Sequence, residues 1–507
     1  MRPLQQPFNW LAKRRLTTLE QAVNHPLEAQ ERLLKQLIHK SRKTVFGSQF
    51  DFASVKQITD FKARVPMHTY EQLYPYIERL LKGEKNMLWP TPIKWFAKSS
   101  GTTNASSKFI PVSQEALQEG HYKAGKDMLA VYVKNYPNNQ LARGKTIGIG
   151  GSLSTNDLHP NSDKQCGDVS AVLMKNLPFW SQQGRTPKLA IALMNQWEEK
   201  IEKLAKVTTK ERITAIAGVP TWVLLLLQKV LAQQNKHCIQ DVWPELELLI
   251  HGGISFEPYK ALLQAITSQD LHYLEVYNAS EGFFALQDQI AANDMLLLTD
   301  HGIFYEFLPV EEMAKEYPQT VGLADVRLGK VYALVISTNA GLWRYQIGDT
   351  IKFTSLSPFR IKIVGRTKQF INAFGEEVVV ENAEAAVTKA CQRTGARLSD
   401  YTAGPHYIEE GQSGCHEWIF EFFTPPSDLA HFIRVLDDVL QSLNTDYEAK
   451  RYRDMVLARP IVHCAPQGTF YQWLKRQGKL GAQHKVPRLA NDRRYLDSLL
   501  PMLSGAN

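Results

Sequence analysis

"ELELLIHGGIS" (residues 245–255) and "LHYLEVYNASEGFF" (271–284) follow one logic: a short apolar run, then a turn of small residues. Runs of four to six apolar residues closed by glycine, asparagine or serine read as buried strands. "KTIGIGGSLS" (145–154) repeats the pattern, and "ITAIAGVPT" (213–221) runs a buried strand into a helix start that accommodates Pro220. Between these strands lie the helical patterns "KLAIALMNQWEEKIEKLAKV" (188–207) and "TWVLLLLQKVLAQQ" (221–234). Strands alternating with helices predict an α/β domain with a largely parallel sheet, whose strand ends gather ligands.

Outward from this centre the character changes. The first ninety residues read as helical, and "TTLEQAVNHPLEAQERLLKQLIHKSRKTVF" (17–46) is interrupted at Pro26. Residues 94–111 read as strand, turn, strand, and 114–136 as helix. From 296 to 353, "MLLLTDHGIFYEFLPV", "KVYALVISTNAGLWRYQIGD" and "TIKF" are rich in strand formers, which predicts an antiparallel sheet or barrel packed beside the first sheet. After Gly365 the order of strand, helix, strands and helix suits a separate α+β domain. The expected division is a large domain over 1–365, with its β-rich part at 296–365, and a smaller one over 366–507.

Composition narrows the class. A chain of 507 residues is too long for one ordinary core, and 44% hydrophobic with 22% charged residues suits a folded globular protein. The start lacks a signal-peptide apolar region, and the most apolar run is broken by Gln228 and Lys229 after six residues, so a cytoplasmic protein without membrane insertion is expected. Five scattered cysteines without a C-x-x-C predict reduced thiols. Of the net charge of +8, a surplus of six lies after residue 440. Such a surface attracts a polyanionic small molecule; no zinc-finger or aromatic–basic repeat supports nucleic acid.

"WFAKSSGTTNASSKFIPVS" (95–113) carries the densest chemistry. Ser99, Ser100, Thr102 and Thr103 surround Gly101, and Lys108 adds a positive charge. N–H groups in a glycine turn form an anion nest, but a polar surface turn has the same composition, and the P-loop pattern fails for want of a glycine–lysine pair. Glu281 in "YNASEG" ends a strand, where one carboxylate suffices for a hydrated Mg²⁺ and an ordinary solvated acid is the alternative. Asp349 in "LWRYQIGD" is placed either to accept both ribose hydroxyls or to shape its own turn. "GGSLS" (150–154) is not a lipase elbow, because its fifth residue is Ser154.

Taken in order, these segments with "GVPTW", "HGG", "VGRTKQF", "LNTDYEAKR" and "QHKVPRL" resemble the auxin-responsive acyl-acid amido synthetases of plants and their bacterial relatives, within the adenylate-forming enzymes. The resemblance runs from about residue 35 to the end and implies a large adenylate-forming N-terminal domain, a β-barrel-like subdomain and a mobile C-terminal lid. It implies ATP and Mg²⁺, with Ser99, Ser100, Gly101, Thr102 and Thr103 as the phosphate turn and Glu281 at the metal. Asp349 would hold the ribose; Gly252, Gly253, Tyr277, Asn278, Ala279 and Ser280 would line the adenine and acyl-adenylate site. Arg366 would lie at the hinge, and Lys485 would reach the adenylate, joining Glu281 and Thr102 as catalytic groups. At Ala279 the chain departs from the family, which often has a serine there.

The implied reaction joins a carboxylic acid to an amine, usually an amino acid, through an acyl-adenylate in a monomeric enzyme. Tyr122, Met128, Trp222 and Leu226 are candidates for the acyl pocket, with ordinary core as the competing role. The alternatives are an acyl-thioester synthetase sharing the adenylation step and a catalytically silent nucleotide-binding protein.

Overall fold

The computed structural model describes residues 5–503, except 100–107, 155, 157, 160–161, 255, 314, 368, 410–411 and 478–485. Its two-domain architecture is a large mixed α/β body followed by a smaller α+β domain. At the N-terminus the break at Pro26 produces two helices, Gln5–Asn24 and Pro26–Ser41, with Pro26 at the first helical position, where its missing N–H costs nothing. Arg15 Nη2 donates to Asp127 Oδ2 at 2.8 Å, and His301 Nε2 meets the same oxygen at 2.7 Å, so a buried charge network pins the first helix to the body.

Eleven strands form one sheet among the described residues. Its parallel half runs Arg185–Thr186, Lys145–Gly148, Ile213–Ala217, Leu248–Gly252 and His272–Ala279. The antiparallel half continues through Gly282–Leu286, Met295–Leu297, Phe359–Arg366, Tyr345–Leu356, Val331–Thr338 and Ile303–Pro309. The β-rich segment is antiparallel, as expected, and adjoins the parallel strands through the same hydrogen-bonded ladder. Met295 opposite Ile361 makes the join, and both are buried, so pairing there covers backbone that an exposed edge would leave open.

A second sheet orders Lys108–Val112, Trp95–Ser99, Gln165–Gly167 and Leu153–Ser154. Residues 114–136, expected as one helix, begin with a π-helical turn, Ala116–His121, before the α-helix Tyr122–Asn135. In the C-terminal domain, the strands Arg397–His406, Cys415–Thr424 and Ile461–Ala465 form a sheet. The helices Val380–Thr394 and Leu429–Leu443 pack on one another, and the first ends at Gly395 with φ +69°, a left-handed cap that favours glycine. One apolar cluster runs from Trp222 and Leu226 to Phe374, Trp418 and Phe420, across both parts of the chain. Thr221 Oγ1 donates to the Phe374 carbonyl at 3.2 Å in the same junction. Among the described residues no helix is long and apolar enough to cross a membrane.

Candidate active site

The sheet changes from parallel to antiparallel at one connection. His272–Ala279 and Gly282–Leu286 pair with Ala279 opposite Gly282, so Ser280 and Glu281 form the turn between them. This turn leaves Glu281 half-buried. Burial pushes its carboxyl above the usual carboxylate range; Lys108 opposes that shift, the nearby Asp349 adds to it, and Arg366 opposes it. Four groups separated widely in sequence therefore sense one another's charge here. Glu281 forms no ion pair among the described residues.

Asp349 enters from the next part of the ladder, opposite Arg366. Tyr277 Oη donates to Asp349 Oδ2 at 2.5 Å, and Arg366 Nε donates to Oδ1 at 2.9 Å. A carboxylate has about four acceptor directions, so these two donors orient it and leave others open. Burial and the Asp349 charge hold the Tyr277 phenol protonated, well above its ordinary pKa. Arg366 also pairs with Glu377 and lies 5.0 Å from the Phe370 ring centroid, which ties the last sheet strand to the chain that follows.

The glycines of "HGG" serve close approach. A Cβ on Gly252 would stand 2.2 Å from the Val276 carbonyl oxygen, and Gly253 has φ +84°, where a side chain is strained. The Gly253 carbonyl accepts from Asn372 Nδ2 at 3.3 Å. Preceding them, His251 stacks on Phe256 at 3.9 Å and burial pushes its pKa down to about 3, so it is a neutral structural ring.

Buried polar side chains gather near Glu281. His121, from the π-helical turn, has Asn278 as its side-chain hydrogen-bond neighbour, and burial lowers its pKa to about 4. Tyr345 Oη is sealed from solvent and meets no hydrogen-bond partner among the described residues. His121 and Tyr345 are not among the residues expected here from the sequence. Tyr345 sits inside the quoted "LWRYQIGD", but nothing in the local pattern distinguishes its buried hydroxyl; His121 reads as one more helical residue.

Among the expected site residues, the structure brings together Tyr277, Asn278, Ala279, Ser280, Glu281, Asp349 and Arg366, with Gly252 on the strand next to Tyr277. Ser99 ends its strand opposite Lys108, whose charge reaches Glu281. Ser100, Gly101, Thr102, Thr103 and Lys485 lie outside the described residues. Tyr122, Met128, Trp222 and Leu226 fall into separate apolar clusters: Tyr122 donates to the Leu173 carbonyl at 2.9 Å, while Met128 packs near Leu19 and Phe283. Trp222 stacks on Trp197 at 3.8 Å, and Leu226 is fully buried in the cluster that joins the two domains.

Three family models match in chain order: the GH3 family N-terminal domain over residues 15–271, the central domain over 296–366 and the C-terminal domain over 381–494. Indole-3-acetic acid-amido synthetase GH3.3 of Arabidopsis thaliana is 23% identical over 533 residues, covering 90% of this chain and 88% of that protein. The 4-substituted benzoates-glutamate ligase GH3.12 of the same plant is 22% identical over 550 residues, covering 93% and 94%. The solved structure of AtGH3.15 acyl acid amido synthetase in complex with 2,4-DB has a TM-score of 0.63 at 18% identity, covering 97% of this chain and 96% of that one. With ordered matches through both domains, the chain belongs to the GH3 family.

Proposed function

We propose that the protein is an ATP-dependent ligase that adenylates a carboxylic acid and transfers the acyl group to an amine, an amino acid in the first instance. The observation that carries this reading is the gathering of Lys108, Asp349 and Arg366 within charge range of Glu281, with Lys108 at the end of the strand pair that Ser99 closes. In the first step the substrate carboxylate attacks the α-phosphorus of ATP, and the bond to pyrophosphate breaks. In the second, the amine nitrogen forms the C–N bond as the acyl–oxygen bond to AMP breaks.

The donor set suits the group it would hold. Glu281 offers a hard oxygen ligand without an ion-pair partner among the described residues, as a largely hydrated Mg²⁺ requires. Bound there, Mg²⁺ would offset charge on the phosphates. Asp349, oriented by Tyr277 and Arg366, would accept the ribose hydroxyls, and Gly252 and Gly253 would line the base. Ala279 and Ser280 would border the adenylate beside Asn278. The hydroxyl turn Ser99–Thr103 would grip the phosphates, with Thr102 and Lys485 as catalytic groups. Positioning and charge stabilisation of this kind account for most of what such a site must supply. The segment from 366 onward would act as a lid that excludes water from the adenylate. Tyr122, Met128, Trp222 and Leu226 remain acyl-pocket candidates by resemblance alone. So does a bacterial affiliation, the relatives compared being plant proteins. A monomer in the cytoplasm fits a site built within one chain.

The test is carboxylate-dependent exchange of radiolabelled pyrophosphate into ATP across a panel of aromatic and aliphatic acids. Exchange with at least one acid is expected. A folded protein that binds ATP yet exchanges with none would overturn the reading.

A further inference from the structure

Just past Arg366, Phe370–Ile371 pairs antiparallel with Val378–Val379, so residues 372–377 form the turn of a short hairpin. Its own domain holds this turn in one shape. Glu376 is fully buried; its Oε2 accepts the Phe374 N–H at 2.7 Å, and its Oε1 lies 2.9 Å from His416 Nε2. Asn444 Nδ2 donates to the Glu376 and Glu377 carbonyls at 2.8 and 3.1 Å, and Lys450 Nζ to the Gly375 carbonyl at 3.2 Å. Gly375, at φ +89°, takes the left-handed conformation that this bend requires.

The first domain meets the same turn residue by residue. Asn372 Nδ2 donates to the Gly253 carbonyl at 3.3 Å, Tyr259 Oη to the Ala373 carbonyl, and Thr221 Oγ1 to the Phe374 carbonyl at 3.2 Å. Three consecutive carbonyls, Ala373 to Gly375, are thus each answered by a buried side chain, two of them from across the domain boundary. Burial holds the Tyr259 phenol protonated, so it stays a donor. Lys450 also lies 4.8 Å from the Trp222 ring centroid, which sets a second-domain cation on the first-domain pair of Trp222 and Trp197. Thr221 opens the helix after the strand Ile213–Ala217, and Gly253 follows the neighbouring strand Leu248–Gly252. The turn therefore sits at the carboxyl ends of two adjacent parallel strands. At its far end Glu377 pairs with Arg366, which donates to Asp349.

We propose that this turn is the latch that seats the second domain over the acyl-adenylate, with Thr221 and Tyr259 as the positioning residues that hold it shut during acyl transfer. The seat stands on the contacts above; its role in transfer rests on the ligase reading. Fixed donors to successive carbonyls define one position, because a shift of about an ångström breaks the bonds together. Seated, the turn keeps water from the acyl carbon until the amine attacks. Unseated, a water oxygen bonds to that carbon, the acyl–oxygen bond breaks with its electron pair leaving on AMP, and the water's proton passes to solvent. ATP is then consumed without an amide.

Three variants test the latch: Thr221→Val and Tyr259→Phe, each removing one donor hydroxyl at nearly constant shape, and Thr221→Ser, which keeps the hydroxyl. Amide hydrogen exchange across residues 372–377 is expected to quicken about tenfold in the first two and less than about twofold in Thr221→Ser. With an acid established by pyrophosphate exchange, that exchange stays within about twofold of the unmodified rate in all three. AMP released per amide formed rises about tenfold in Thr221→Val and Tyr259→Phe and keeps the unmodified ratio in Thr221→Ser. Unchanged hydrogen exchange across the turn overturns the seat. An unchanged ratio of AMP to amide, or an equal rise in Thr221→Ser, overturns its role in transfer. Either donor-less variant decides should the other fail to fold. Absence of pyrophosphate exchange with every acid is a failure of the ligase reading, and hydrogen exchange then decides the seat alone.

Discussion

The site at Glu281 and the domain junction at Asp168 both bury carboxylates, but they treat the charge differently. In the site, Arg366 binds Asp349 directly and Lys108 faces Glu281, so acid and base are interleaved by the pairing of adjacent strands. At the junction, Asp168 and Asp446 come from two domains, and their neighbouring lysines, Lys200 and Lys450, are spent on carbonyls and an aromatic face. The first arrangement joins acid and base by a direct ion pair. In the second, Lys200 and the buried Lys450 reach Asp168 by charge alone, with no ion pair to it among the described residues.

The comparison is broken most severely at Glu281. Glu281→Ala is expected to lower pyrophosphate exchange by about 10²–10³-fold, the size of loss seen when one charge-stabilising group is removed from a preorganised site. Exchange at the unmodified rate would remove Glu281 from the metal role. A smaller effect is on stability. A carboxyl whose folded pKa is raised contributes stability at low pH that is lost as pH rises through the folded value, so ionised Glu281 is a burden at pH 8. Glu281→Gln should then raise the melting temperature at pH 8 by an amount on the order of 1 °C, and do less at pH 4. A lower melting temperature at pH 8 would mean that the carboxylate is compensated within the folded chain.

Much of the site was legible in the sequence because its residues sit at the ends of short apolar runs. "YNASEG" and "LWRYQIGD" each finish or start a strand, and strand ends are where an α/β sheet collects polar groups. What brings Asp349 to Tyr277 was not legible: it depends on Met295–Leu297 pairing with Phe359–Arg366, a register that no local period encodes. For the same reason the join of the β-rich segment to the parallel strands in one ladder was not legible either. Trp222 and Leu226 show the converse limit. An apolar helix face declares that something covers it, and here Trp197 and the second domain's core do so. The junction was invisible because Asp168 and Asp446 meet only after the two domains are packed; in the chain, each is one acid at a helix start.

The change of strand direction at Ser280 and Glu281 has a consequence for a chain emerging from the ribosome. Everything in the parallel half up to Ala279 can pair with strands already synthesised, whereas Asp349 and its partner Arg366 come 68 and 85 residues after Glu281. Until those strands add to the far edge, Tyr277 has no acceptor and Glu281 no neighbouring arginine. Competence to bind nucleotide is thus deferred to a late point in translation, when the chain that follows, beginning with Glu377, is already anchored through the same arginine.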